Sequence, residues 1–543
     1  MQQGGARLSR ACQGVVIPMP SETYNRLDRQ WKSTCKTILG FDPSELKEYE
    51  AWLSSCMGEH KFESLGNGRQ AMYQFENFQP GARKIDFGSI DYMKKFAPLS
   101  VNEMKDIDSI AQAIGERAAY AGNITLGNSQ LVEGSTNVID SSFVYKSAGV
   151  SESSYVAYTT DTRLSKSIFG GDQNAQSEFV IAGLINRKAT RCLGTWAGDE
   201  ISDVHYSSYC VGCTDCMFSF NLVGQSRCIG NCQLSREKYA EVKKRLLEQL
   251  AGELAAKKKL PSLRDFVPPL KEKPLLRLGK QAKAPQDKER IENEFSKTCT
   301  LVLGIGLKGI DKYSSWLSRD IYAVKKAKSA LSEGEIYTSK LLFSELAPKD
   351  RLIGAEEAPE AGKQLRLEEN EAASLEIGSL HSKIGKIAFF CCERKIGTNT
   401  NNINVPIQIN ASNCYYVSNI PFGKDCAYCT WPRNSEHCYG SARTFACSFV
   451  IRCFNSLKLS RCLECDCSRD CTGAYFCHNC ENVHDSMFCF NVKNLRYAIG
   501  NAEVGKEEFE RAKRMLLAEI TGSLEKTHDY KRSIYDIARA GKR

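Results

Sequence analysis

The chain has 543 residues, a formal net charge of +9, 42% hydrophobic and 25% charged residues. That length provides for several domains with buried cores, and the composition excludes a disordered or collagen-like chain. No run of about 18 apolar residues occurs, so no membrane span is expected, and no apolar secretory signal follows Met1, so the 25 cysteines are expected to be reduced thiols in a cytoplasmic protein.

In chain order the sequence predicts an α+β protein of seven parts. Residues 1–122 form a helical region, with helices near 22–62 and 101–118. Residues 123–224 form a β-solenoid. Residues 225–256 carry a capping helix with apolar Tyr239, Val242, Leu246, Leu247 and Leu250 at helical spacing. Residues 257–291 are a basic linker holding 11 Lys/Arg against four acids, with Pro261, Pro268, Pro269, Pro274 and Pro285 pointing to an extended connector. The order then repeats: a helical region over 292–392, a second β-solenoid over 393–497, and a capping helix with a basic tail over 498–543.

The solenoids are read from a period of three. From Leu126 to Leu222, 31 of 33 triplet positions are Ser, Thr, Cys, Gly, Ala, Val, Ile or Leu; from Ile396 to Leu495, 30 of 34 are. Neither a strand, with period two, nor a helix, with period 3.6, has that repeat. Valine or leucine at 126, 132, 138, 144, 150 and 156 alternates with serine at 129, 135, 141, 147 and 153, giving a six-residue unit. Hexapeptide periodicity marks parallel β-helices. Three six-residue sides per coil predict about 5–6 coils.

The two solenoids match at an offset of 270. Phe179-Val180-Ile181 matches Phe449-Val450-Ile451, Arg191-Cys192-Leu193 matches Arg461-Cys462-Leu463, and Gly230-Asn231 matches Gly500-Asn501. Before the solenoids the offset is 264: Tyr49, Trp52 and Leu53 match Tyr313, Trp316 and Leu317. A tandem duplication of one module is therefore expected.

Segments 210–237 and 477–508 carry Cys-x-x-Cys triplets that run into a Gly-Asn exit and a Lys/Glu-rich helix. In this they resemble uncharacterised cysteine-rich β-solenoid repeat proteins of small-genome prokaryotes. That family implies a parallel β-helix like that of hexapeptide-repeat proteins, and no activity.

The cysteines admit two readings. Cys210, Cys213 and Cys216, with the pairs Cys462/Cys465 and Cys477/Cys480, have the spacing of zinc or iron–sulfur ligands. Against this, x-x spacing follows from the triplet register itself. Across the offset of 270, Cys414 falls on Val144, Cys438 on Ile168, Cys447 on Ser177 and Cys453 on Gly183. A slot that accepts Val, Ile, Ser, Gly or Cys behaves as a small core position, so no cofactor is the first expectation and a metal the alternative. Cys467 is the only cysteine between 414 and 489 that lies outside the register, and is expected to face outward. None of the seven histidines matches another across the duplication, and no phosphate loop or G-x-S-x-G elbow occurs. An acyltransferase of the hexapeptide-repeat type is thus a minor alternative. The reading favoured is a non-catalytic scaffold with a protein partner. RNA or a ribonucleoprotein could be met by Lys257, Lys258 and Lys259, and exposed end coils allow oligomerisation.

Overall fold

The computed structural model describes residues 21–65, 69–74, 77–278 and 286–538. The chain is a mixed α and β protein whose two large sheets are mainly parallel. Among the described residues no helix is long and apolar enough to cross a membrane.

The period of three is a backbone property. Every third residue from Leu131 to Gly230 has a φ between 44° and 68°. Each such residue turns the chain and delivers the next side chain inward. Non-glycine residues in this left-handed region cost about 1–2 kcal/mol apiece, least for Asn and Asp. In the second half those two types supply many of the turns, including Asn401, Asn410, Asn413, Asp425, Asn479, Asn482 and Asn494.

Strand registers advance by 12 residues: Ser154 pairs with Lys166, Val156 with Ile168, Ile168 with Val180 and Val180 with Cys192. The second half does the same, with Cys414 opposite Cys426 and Val450 opposite Cys462. This corrects the expected coil. A turn at every third residue closes the coil after four triplets, so it holds four inward residues and 12 in all, and the six-residue unit is half a coil. We call residues 125–233 stack 1 and residues 394–503 stack 2. Each ends in an antiparallel reversal, at Cys232–Gln233 and Ala502–Glu503.

Four rows of small side chains fill each coil. The serine row of stack 1 is a ladder: Ser129, Ser141, Ser153, Ser165 and Ser177 each accept the N–H of the residue 12 ahead, at 3.1–3.2 Å. Ser141, Ser153, Ser165 and Ser177 also donate to the carbonyl two residues back, at 2.7–2.9 Å. Buried backbone groups are costly when unpaired, which accounts for hydroxyls inside a core this narrow.

One outward row of each stack is apolar and is covered by helices. In stack 1 this row includes Tyr145, Phe169, Ile181, Leu193, Met217 and Ile229; in stack 2 it includes Tyr415, Tyr439, Ile451, Leu463, Tyr475 and Met487. Helix α1 (Glu22–Leu39) is capped by Ser21 and Gly40 and sets Trp31 on Phe169, with ring centroids 5.4 Å apart. Helix α2 (Arg236–Lys257) packs near the end of stack 1. Helix α3 (Lys288–Leu303) sets Phe295 on Tyr439 at 5.1 Å, and α4 (Lys506–Thr527) sets Phe509 on Tyr497 at 5.9 Å. The first and third helices thus lie along the sides of the stacks instead of over their ends. The helix expected over 101–118 is broken into Val101–Met104 and Ile107–Ala113.

The linker is also less extended than its prolines suggest. Leu260, Leu263, Phe266 and Val267 are buried, and Phe266 meets Tyr206 and Phe218 at 5.4 and 5.7 Å. Its first half is a strap along stack 1. Residues 279–285 of the linker, with Pro285, and the last five residues of the tail lie outside the described residues.

The ends of the stacks are covered reciprocally. Residues 322–392, which lead into stack 2, cover the end of stack 1. Asn231 donates to the Leu365 carbonyl (2.8 Å), Asn221 to the Phe389 carbonyl (2.9 Å), and Leu367 lies over Gly230. Residues 77–122, which lead into stack 1, cover the end of stack 2. Asn491 donates to the Ala119 carbonyl and Arg117 to the Gly500 carbonyl (both 2.8 Å), and Ile114 lies over Gly500. Asn221/Asn491, Gly230/Gly500 and Phe389/Ala119 are all 270 positions apart.

Candidate functional site at the seam between the stacks

The stacks lie side by side and run in opposite directions. Asn137 faces Cys467 and Asp161 faces Arg443, so the number in stack 2 falls as that in stack 1 rises. Left-handed turn residues of both stacks, among them Asn137, Asp161, Gln173, Arg443 and Cys467, face across the seam and make much of it polar. Arg443 forms an ion pair with Asp161 at 3.0 Å, and Gln74 donates to the other Asp161 oxygen at 2.9 Å. Asn419 donates to Gln173 at 3.0 Å. Arg394 donates to the carbonyls of Ile185 (2.8 Å) and Gly198 (3.0 Å) and lies 3.3 Å from Asp199. Salt bridges this deeply buried gain less from attraction than they lose in desolvation unless fully hydrogen-bonded, and here each carries additional hydrogen bonds.

Three clusters in the seam hold chemistry. The first is an acid pair. Asp172 accepts from Thr160 (2.5 Å) and Gln173 (3.3 Å), and burial together with the Asp161 charge pushes its carboxyl well above the usual range. Both acids line a 280 Å³ concavity with Tyr322 and Lys340.

The second is Asp466, Cys467 and His478. Among the described residues these are the His, Cys and acid ligand atoms that converge as a group of three, within 4.8 Å of one another. The sequence pattern places Cys467 outward. It does point away from its own coil, but stack 1 covers it, leaving 5% exposed with its Sγ 3.6 Å from Asn137 Oδ1. His478 Nε2 accepts the Ala121 N–H at 2.9 Å, which puts the ring proton on Nδ1, 2.8 Å from Asp466 Oδ2. Asn455 and Tyr535 bind the other oxygen of Asp466. With both ring nitrogens engaged, a metal ion or a thiolate would have to displace a buried backbone bond to reach the imidazole. The group acts as a clasp between stack 2 and the segment leading into stack 1.

The third is a cleft of 330 Å³ with walls from both stacks, lined by Arg163, Arg187, Arg394 and Arg433. Arg187 is held by Asp199 at 2.6 Å, and Arg163 by Glu152 at 3.4 Å. Arg433 is 9% exposed, and among the described residues no carboxylate or carbonyl accepts from it. Its guanidinium lies over Phe445 (4.4 Å) and Trp431 (5.5 Å). Burial, aided by the Arg163 charge, lowers its pKa to about 9.

The cysteines with ligand spacing lie elsewhere. Cys210, Cys213, Cys216, Cys462, Cys465, Cys477 and Cys480 are all 0–2% exposed inside the coils. They run in rows instead of gathering about a point. Their Sγ atoms approach backbone carbonyls: Cys213 that of Val211 (3.4 Å), Cys465 that of Ala474 (3.3 Å) and Cys480 that of Cys489 (3.2 Å). Burial and neighbouring thiols push Cys465 and Cys480 well up, whereas hydrogen bonds from neighbouring thiols pull Cys213, Cys462 and Cys477 down.

Of the linker lysines, Lys257 is paired with Glu253 (2.7 Å) and Lys258 with Glu48 (3.3 Å). With Lys259 they line a 580 Å³ concavity beside Trp52.

Of the seam residues, sequence reading singled out only Cys467. One signal was present: Arg163 and Arg433 are 270 positions apart and are both arginine. No protein-family model matches this chain, and no match to it was found among curated proteins or among solved structures.

Proposed function

We propose that the chain is a non-catalytic interaction scaffold built by tandem duplication of a β-solenoid module. The reciprocal covering of the two stack ends carries this reading. Each half completes the core of the other, so the paired stacks form one interlocked body with a cleft walled by both. Stacked repeats commonly serve as extended binding surfaces. The alternative, a metal protein using the cysteine rows, gains no support from thiols that face backbone carbonyls in an apolar interior. Elemental analysis of protein purified without oxygen tests the choice. The expected result is zinc and iron well below one per chain. A stoichiometric metal that survives mild chelation would overturn the scaffold reading.

One observation favours a polyanion such as RNA among the partners: Lys257, Lys258 and Lys259 line a single open concavity. Single-stranded RNA is then expected to bind at low salt and weaken steeply as salt rises. The triple variant K257Q/K258Q/K259Q is expected to bind several-fold more weakly. Equal affinity in that variant, or no binding at low salt, removes RNA.

A further inference from the structure

We propose that the cleft between the two stacks, floored by Arg163 and Arg433, binds a small organic oxyanion: a phosphate or carboxylate joined to an apolar body of ring size. The inference rests on the scaffold reading above and names a ligand for it.

Four observations converge. The Arg433 side chain is nine-tenths buried and lines the cleft, and its Nη1, shielded from solvent, has no hydrogen-bond partner among the described residues. Among the described residues no carboxylate is hydrogen-bonded to this guanidinium, on which Asp161 and Glu152 act only as more distant charges; a buried charge so placed is disfavoured, and an anion in the cleft would pair with it. Second, Arg163 lines the same cleft from the opposite stack and adds a like charge, acting on Arg433 to disfavour its protonated form. One oxyanion between two guanidinium groups relieves that repulsion, and guanidinium geometry suits bidentate contact with either head group. Third, the lips of the cleft are apolar. Leu164 from stack 1 and Phe422 from stack 2 are 42% and 57% exposed, and both belong to the small set of large hydrophobic side chains left open to solvent among the described residues. Fourth, 330 Å³ is within the range of sites for small organic molecules. Arg394 is engaged with Asp199 and two carbonyls and Arg187 with Asp199, so they raise the potential without competing for the ligand, whereas Arg163 meets Glu152 only through long 3.4 Å contacts that an anion in the cleft can replace.

The test is calorimetric titration of the full chain with phenyl phosphate, phenylacetate, inorganic phosphate and benzyl alcohol. Saturable one-to-one binding of phenyl phosphate or of phenylacetate is expected, and whichever binds more tightly identifies the head group. Inorganic phosphate, lacking the apolar body, and benzyl alcohol, lacking the charge, should each bind about tenfold more weakly. R433M and R163M should each weaken binding about tenfold, and F422A about threefold. R433M should also melt no lower than wild type, because it removes an unpaired buried charge. No binding of either aryl anion overturns the proposal and leaves the scaffold standing. Unchanged binding in both arginine variants does the same. Release of phenol from phenyl phosphate, lost in R433M, would keep the site and overturn the non-catalytic reading.

Discussion

His205→Leu is expected to remove most of the acid sensitivity of stack 1. His205 is 1% exposed, and among the described residues neither ring nitrogen has a hydrogen-bond partner. It stands in the apolar outward row between Leu193 and Met217, pairing with each in the ladder. Burial, with the nearby Lys243 charge, lowers its pKa to about 3. A histidine whose folded pKa lies below its unfolded value of about 6.5 is fully compatible with the fold above that pH. Its contribution is lost as pH falls from about 6.5 toward 3, because the unfolded chain takes up the proton first. For this one group linkage gives a loss of about 2 kcal/mol at pH 5. Leucine fits the row, carries no proton and leaves no buried ring nitrogen unpaired. Urea unfolding at pH 7.5 and pH 5 should therefore show the variant within about 1 kcal/mol of wild type at the higher pH. At pH 5 it should be more stable by about 2 kcal/mol. If both proteins lose the same stability between the two pH values, the ring is not held neutral.

His205 also shows how far the sequence could be read. The triplet register was legible because small side chains at every third position face a narrow interior. The length of the coil was not, since counting only inward positions leaves a coil of four triplets and one of six equally consistent with the pattern. A second period was present and would have decided it. Tyr415, Ala427, Tyr439, Ile451, Leu463, Tyr475, Met487 and Ile499 recur every 12 residues, one position after an inward residue. The row they form is what α3 and α4 cover. Asn and Asp one position before the inward residue carried a further signal, as they are the non-glycine types that best tolerate the left-handed turn. The seam was beyond reach for a different reason. Asp161 meets Arg443 across 282 residues and Gln173 meets Asn419 across 246. Such pairings depend on how two rigid bodies dock, which no local period encodes. The cysteine spacing has the origin of the register itself: a backbone turn at every third residue produces C-x-x-C whenever two successive inward residues are cysteines.

Arg452→Met is expected to be the most damaging single change among the polar residues of stack 2. Arg452 is fully buried, and its side chain joins three parts of the chain. It forms ion pairs with Asp320 (2.5 Å) and with Glu464, and donates to the Trp316 carbonyl (2.5 Å). The other oxygen of Glu464 accepts the Ile534 N–H at 2.8 Å, which ties down the segment after α4. Removing the guanidinium leaves two carboxylates in a dry site, and breaking a buried ion pair in this way costs about 3–5 kcal/mol. The pH dependence gives the mechanism a signature. Burial already raises the Glu464 carboxyl to about 7 with the arginine present. Without it the Glu464 carboxyl should rise further. An acid whose folded pKa lies above its unfolded value is accommodated when protonated, and stability is lost as pH rises through the folded pKa. The deficit of the variant should therefore be greatest near pH 8 and shrink toward pH 5.5, whereas lost packing alone would be independent of pH. Adding Asp320→Asn and Glu464→Gln should recover much of the loss at pH 8, since neutral amides need no counter-ion. Chemical denaturation of the three proteins at both pH values decides it. A deficit below about 1 kcal/mol would mean that solvent reaches the acids, and an equal deficit at both pH values that the arginine serves by its volume instead of its charge.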